Sequence, residues 1–258
     1  MLNEKKIQIG IALSKNSEKY LEFLLWTISK TAALPIKYYL GVNHGASFEE
    51  IKRIASNVDA EVFDAFVDSG YSSLNHGLCL DIIFSKMKSG IGMLVDCDVA
   101  FIEKNWDVLM LSKLNDKCAI VGAEYDGDKY LQFPNVICAM FVVDVLKKLD
   151  ISFKSNGSVF LDTDELQLIY GYSNEHSIIL DTGCELPLKL KKAGFTGYPM
   201  PIFRAGWQNA KFMKNDMRGE EYQLDNLPLF THLGRSYTRE FGVDIHAKEW
   251  EREVCKMF

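Results

Sequence analysis

With 258 residues, 48% of them hydrophobic and 25% charged, the chain can bury a substantial core and is long for one domain without demanding two. A net charge of −6 weighs against a broad nucleic-acid footprint, which needs a basic face. No apolar run reaches the roughly 18 residues of a membrane span, and the N-terminal MLNEKKIQIGIAL has no signal-peptide core, so the expectation is a cytoplasmic protein without a transmembrane segment.

From the N-terminus, strand and helix patterns alternate. IQIGIAL (7–13) is a β-rich run, and Ser17 can cap a helix whose Leu21, Leu24, Leu25 and Ile28 recur at helical spacing. Pro35 separates this helix from a second strand, IKYYLGV. Ser47-Phe48-Glu49-Glu50 has the form of a capping box and opens a short helix. AEVFDAF (60–66) reads as a third strand, and after Gly70 a helix fits Leu74, Leu78 and Ile82 on one face. The strand in GIGMLVDCDVAF (90–101) follows. Further on, residues 106–114 and 144–149 read as helices, and CAIVGAEY (118–125) and NVICAMFVV (135–143) as strands. The segment 204–227 mixes Gly, Asn, Asp, Lys and Met without a period and predicts a mobile loop or a partly disordered link. Six cysteines without Cys-x-x-Cys spacing look like reduced core residues. The βαβαβαβ order predicts one α/β unit with a mostly parallel sheet and flanking helices.

Asp96 and Asp98 close the fourth strand, at the sheet edge where open α/β folds bind ligands. Two carboxylates there suit a hard divalent cation shared with substrate phosphates, one facing the metal while the other reaches a ligand above the strand end. The plain alternative is a pair of solvated turn residues.

Three blocks together resemble the nucleotide-sugar glycosyltransferases of the GT-A fold, family 2-like in character. SLNHGLCLDIIFSKMKSGIGMLVDCDVAF is similar to that family's helix-then-strand block ending in Asp-x-Asp. LDTGCELPLKLKKAGF (180–195) resembles its later acidic segment, and FTHLGRSY (230–237) the histidine that many members add as a metal ligand. The resemblance implies a Rossmann-like GT-A core over residues 1–200 and an extension, 201–258, folding back over the active site within the same domain. It implies a metal-dependent hexosyl- or pentosyltransferase that moves a sugar from a nucleoside diphosphate sugar to an acceptor hydroxyl, inverting if family 2-like. The acceptor stays open among a saccharide, a lipid-linked sugar, a protein and a modified nucleic-acid base.

The same resemblance distributes roles. Asp98, Asp96 and His232 are the implied ligands of Mn2+ or Mg2+, with Asp96 also contacting the ribose; an imidazole suits Mn2+ better. Leu13, Asn43, His76, Asp96 and Arg235 are the implied donor-binding set. Asn43 stands in VNHGAS where the family often has acidic residues, and Arg235 matches phosphate geometry. The catalytic base is Asp181 or Glu185: Asp181 ends an apolar run, and Pro187 fits a helix only if it starts near Glu185 or Leu186. Trp106, Trp207, Tyr222 and Tyr237 are candidate sugar-stacking residues. A haloacid-dehalogenase-like phosphatase would carry Asp-x-Asp on its first strand. A nucleotidyltransferase, which usually has a Gly-rich basic loop after that strand, and a non-catalytic GT-A-like binding module are the remaining alternatives.

Overall fold

The computed structural model describes residues 6–43, 45–70, 72–125, 133–155, 157–159, 178–214, 217–234 and 243–258. The first half runs β1 (Ile7–Leu13), α1 (Glu18–Thr31), β2 (Ile36–Val42), α2 (Phe48–Ile54), β3 (Ala60–Asp64), α3 (Ser72–Lys86) and β4 (Ile91–Val95). Six of the seven residues of β1 are buried, the mark of a strand covered on both faces. It pairs in parallel with β2 on one side and β4 on the other, and β2 pairs in parallel with β3. The carboxyl ends of these four strands therefore share one edge.

Next come β5 (Val99–Phe101), α4 (Trp106–Leu111), β6 (Cys118–Ala123), β7 (Asn135–Val142) and α5 (Val143–Lys148). Then follow β8 (Gly157–Val159), β9 (Ile178–Leu180), α6 (Glu185–Lys192), β10 (Thr196–Met200), β11 (Ile202–Phe203), β12 (Glu220–Leu224), β13 (Leu227–His232) and α7 (Val243–Cys255). The main sheet has seven strands in the order β10-β6-β7-β4-β1-β2-β3. All its pairings are parallel except those of β7, which runs against both β4 and β6. A second, antiparallel sheet has the order β11-β12-β13-β5. The chain thus changes sheets between β4 and β5.

Several local expectations are met by different partners. Ser47 Oγ accepts from Glu50 N–H at 3.3 Å, one half of the capping box. The reciprocal bond comes from Glu18, whose Oε1 accepts from Ser47 N–H at 2.7 Å, while Glu50 pairs with Arg53. Ser17 Oγ accepts from Ser14 N–H and makes no bond into the helix it precedes. Pro187 falls in the first turn of α6, where a missing N–H costs no intrahelical bond. Five cysteines are buried, but Cys255 is exposed and is no core residue. No described helix is long and apolar enough to cross a membrane.

The expectation of a loose segment over 204–227 is corrected. It contains β12 and the first residue of β13, joined by Asp225 and Asn226 at φ 50° and 66°, the two left-handed residues of a two-residue hairpin turn. Residues 209–213 are tied down from beneath. The fully buried carboxylate of Glu221 accepts from the N–H groups of Lys211, Phe212 and Met213, and Gln223 Nε2 donates to the Asn209 carbonyl at 2.8 Å.

Close packing fixes α3 over the rest of the chain. A Cβ on Gly77 would lie 2.4 Å from the Phe153 carbonyl oxygen and 2.6 Å from Lys154 Cα, both backbone atoms with little freedom to yield. Gly77→Ala should therefore destabilise the fold by about 1–3 kcal/mol, despite the better helix propensity of alanine. Urea denaturation of the variant beside wild type checks this, and equal or higher stability would contradict the packing.

Candidate metal and donor site

The sequence Asp-Cys-Asp forms a tight turn, not a continuation of the strand. Asp96 N–H still donates to the Ile137 carbonyl of β7 at 2.8 Å, and Val99 N–H closes the turn on the Asp96 carbonyl at 3.2 Å. Cys97 goes into the core, Asp98 is buried and Asp96 is partly exposed. Asp96 and Asp98 converge: their oxygens and a ring nitrogen of His232 all lie within 4.8 Å of one another.

Main-chain pairing brings His232 there. His232 sits opposite Val99 in the β13–β5 ladder, and Leu233 N–H donates to the Asp98 carbonyl at 3.0 Å. His232 Nε2 is 3.3 Å from Asp98 Oδ1 and 4.0 Å from Asp96 Oδ2. The other nitrogen, Nδ1, is 3.3 Å from Glu220 Oε2. Glu220 also takes Arg204 Nη2 at 2.9 Å and the Tyr222 hydroxyl at 2.8 Å. A carboxylate on the far nitrogen orients the imidazole so that Nε2 faces the two aspartates, the outer half of a carboxylate–histidine–metal arrangement.

The charges are strongly coupled. Burial alone would raise the Glu220 carboxyl, but its bonds to His232, Arg204 and Tyr222 hold it down at about 2. Burial alone would lower the His232 imidazole, yet Asp98, Glu220 and Asp96 carry it well above the usual histidine value. Asp96 is pushed up by burial, opposed by His76 and His232 and reinforced by the charges of Asp98 and Asp181. Asp98 Oδ2 is buried without a hydrogen-bond partner among the described residues, an expensive state for a carboxylate oxygen unless a cation completes it. Two hard oxygens and one imidazole nitrogen fit a divalent transition ion.

The remaining residues distribute unevenly around this centre. His76, in the second turn of α3, has Nε2 3.7 Å from Asp96 Oδ1. Asp181 follows β9; its Oδ1 accepts from Thr182 N–H at 2.9 Å, and its charge reaches Asp96. Glu185 is turned elsewhere, accepting from Ser152 N–H at 3.1 Å and pairing with Lys189 Nζ at 2.7 Å. Leu13 is fully buried, and its carbonyl accepts from Asn43 N–H at 2.7 Å. Asn43 Oδ1 accepts from Val67 N–H at 3.1 Å, so its carboxamide braces the loop after β3. Arg235 and Tyr237 lie outside the described residues. Trp106 and Tyr222 are core residues, stacked on Phe101 at 3.8 Å and Phe230 at 4.8 Å, and so are no sugar platforms; Trp207 is 46% exposed.

A cavity of about 450 Å3 opens at the carboxyl ends of β2 and β3, lined by Val42, Asn43, Gly45, Ala46, Phe48, Asp64 and Phe66. It lies along the same sheet edge as Asp96. Sequence reasoning missed Glu220. The signal was the hairpin itself, EEYQL and LPLFTH around Asp-Asn, which puts Glu220 opposite His232 in the register.

Two solved structures share this architecture. The mannosyltransferase PcManGT from Pyrobaculum calidifontis, in complex with GDP-Man and Mn2+, superposes at TM-score 0.54 with 10% identity, covering 76% of this chain and 54% of that one. The galactosyltransferase LgtC, in complex with donor and acceptor sugar analogues, superposes at 0.52 with 12% identity, covering 96% of this chain and 95% of that one. The chain therefore spans about half the length of the mannosyltransferase. Neither a protein-family model nor a curated protein matches the sequence. At these identities the likeness establishes the fold: the chain has the GT-A fold of the nucleotide-sugar glycosyltransferases.

Because Glu220 holds His232 without facing the aspartates itself, Glu220→Gln should weaken Mn2+ binding by about 10–100-fold, the usual cost of losing such a support. Electron paramagnetic resonance titration of free Mn2+ measures this. Unchanged affinity would mean that Glu220 does not orient the ligand.

Proposed function

We propose that the protein is a metal-dependent glycosyltransferase that transfers a sugar from a nucleoside diphosphate sugar to an acceptor hydroxyl. The observation that carries this reading is the convergence of Asp96, Asp98 and His232 at the carboxyl edge of a GT-A sheet, with Asp98 Oδ2 left without a partner among the described residues. A divalent cation, Mn2+ or Mg2+, would supply Lewis-acid stabilisation of the leaving diphosphate there. Asp98 and His232 would hold it and Asp96, the more exposed carboxylate, would share it with the donor. The imidazole ligand favours Mn2+, and the similar mannosyltransferase binds GDP-Man with Mn2+.

Spacing along the sheet supports a nucleotide in the cavity. From β4 across β1 to the gap between β2 and β3 is about 12 Å at the usual interstrand distance, comparable to the reach of a nucleoside diphosphate from base to outer phosphate. Phe48 and Phe66 offer apolar surface to a base, and Asn43 shapes the wall through its bracing bonds. Leu13 acts from beneath by holding Asn43. His76 stands beside Asp96 where it can donate to a phosphate or sugar oxygen. Arg235 serves a phosphate in this reading.

For the proton of the acceptor hydroxyl we favour Asp181 over Glu185. Asp181 is electrostatically coupled to Asp96, whereas Glu185 is committed to Ser152 and Lys189. Inversion rests on the family 2-like resemblance and needs a base of this kind. The segment 201–258 supplies His232 and so belongs to the active unit.

Calorimetry with a nucleoside diphosphate should give binding that depends on Mn2+ and is lost in Asp98→Ala. Equal affinity with and without metal would refute the reading. Asp181→Asn should keep that binding and slow transfer by about 100-fold or more. If Asp181→Asn transfers normally while Glu185→Gln does not, the two assignments exchange.

A further inference from the structure

We propose that Trp207 is the platform of an acceptor subsite and that the acceptor it receives is a saccharide, an inference that rests on the glycosyltransferase reading above. The chain has four tryptophans. Trp106 and Trp250 are 0% and 1% exposed, and Trp26 packs between Phe23 and Phe258 with ring centroids 5.6 Å and 5.1 Å away. Trp207, 46% exposed, is the most exposed of the four. Gly206, Gln208 and Asn209 beside it in the chain are exposed and carry no apolar side chain, so along the chain the indole is bordered by polar groups. A sugar presents the matching surface, a C–H face rimmed by hydroxyls. A lipid surface would need a contiguous apolar patch.

The backbone that carries the ring is also held in place. Trp207 N–H donates to the Arg204 carbonyl at 3.1 Å across a turn whose third residue, Gly206, has φ 81°, the value a type II turn requires. The Trp207 carbonyl accepts from Ala210 N–H at 3.0 Å, closing a second turn. Beyond it, Glu221 and Gln223 fasten residues 209–213. A platform fixed before its ligand arrives loses little entropy on binding.

Strand β12 links this platform to the metal site. Alternate residues face opposite ways, so Glu220 and Tyr222 lie on the His232 side while Glu221 and Gln223 hold the Trp207 loop. Arg204 joins the two sides: its guanidinium is 6.0 Å from the indole centroid and 2.9 Å from Glu220 Oε1. The nucleotide cavity lies on the β2–β3 flank of β4, whereas Trp207 belongs to the sheet that leaves β4 through β5. Donor and acceptor thus meet the centre from different flanks, as transfer between them requires.

The test titrates wild type, Trp207→Ala and Trp207→Phe with maltose, lactose, cellobiose and chitobiose. Each is run on the protein alone and with MnCl2 plus a nucleoside diphosphate. At least one sugar should blue-shift and quench the tryptophan emission of wild type. By calorimetry Trp207→Ala should bind that sugar about 10-fold more weakly or worse, and Trp207→Phe should recover most of the affinity. Silence of all four sugars in both states overturns the proposal, and so does equal sugar affinity in Trp207→Ala. Diphosphate binding is read in the same samples: diphosphate bound with no sugar response overturns the saccharide subsite alone. Sugar bound at Trp207 without metal-dependent diphosphate binding supports the subsite and overturns the transferase reading.

Discussion

The candidate site depends on one backbone pairing, the antiparallel ladder between β5 and β13. The Leu233 N–H bond to the Asp98 carbonyl and the His232–Val99 register bring a histidine late in the chain to the turn that ends β4. Without that ladder, Asp96 and Asp98 are two carboxylates on a turn. With it, they share a recessed space with an imidazole whose direction Glu220 sets. Trp250 supports the pairing from behind: its indole N–H donates to Thr231 Oγ1 at 3.0 Å, and Thr231 Oγ1 lies 2.8 Å from the Glu220 carbonyl. The C-terminal helix therefore braces the strand that carries the histidine.

The cost of assembling like charges explains the shape of the surroundings. Asp96, Asp98 and Glu220 gather around His232, and burial pushes the carboxyls of Asp96 and Glu220 up. Arg204, His76 and His232 offset part of this negative charge. Acidic groups on both sides of His232 hold its imidazole well above the usual histidine value. A recess with this much negative charge favours a cation.

Much of the parallel core was readable from the sequence, because buried parallel strands and amphipathic helices advertise themselves through period. IQIGIAL, IKYYLGV and the 15-residue α3 are visible in that way. The antiparallel sense of β7 was not, since NVICAMFV is as uniformly apolar as its parallel neighbours and local pattern does not encode strand direction. The second sheet was hidden for another reason. In EEYQL both faces are buried, Tyr222 and Leu224 in the apolar core and Glu221 and Gln223 as polar groups that hold a loop, so the polar-out half of the alternation that marks a strand against solvent is missing. The residues of the metal cluster were identifiable by type and order, but Glu220 and the convergence of the two aspartates needed the turn and the ladder.

A crystal grown with Mn2+ and a nucleoside diphosphate, and measured at the manganese absorption edge, tests the central claim most directly. The account predicts one strong anomalous peak within coordination distance of an Asp98 carboxylate oxygen and His232 Nε2, about 2.0–2.3 Å for such ligands. The diphosphate should lie against the same ion and the base in the cavity beside Phe66. A peak elsewhere, or a diphosphate bound away from Asp98 and His232, would contradict it.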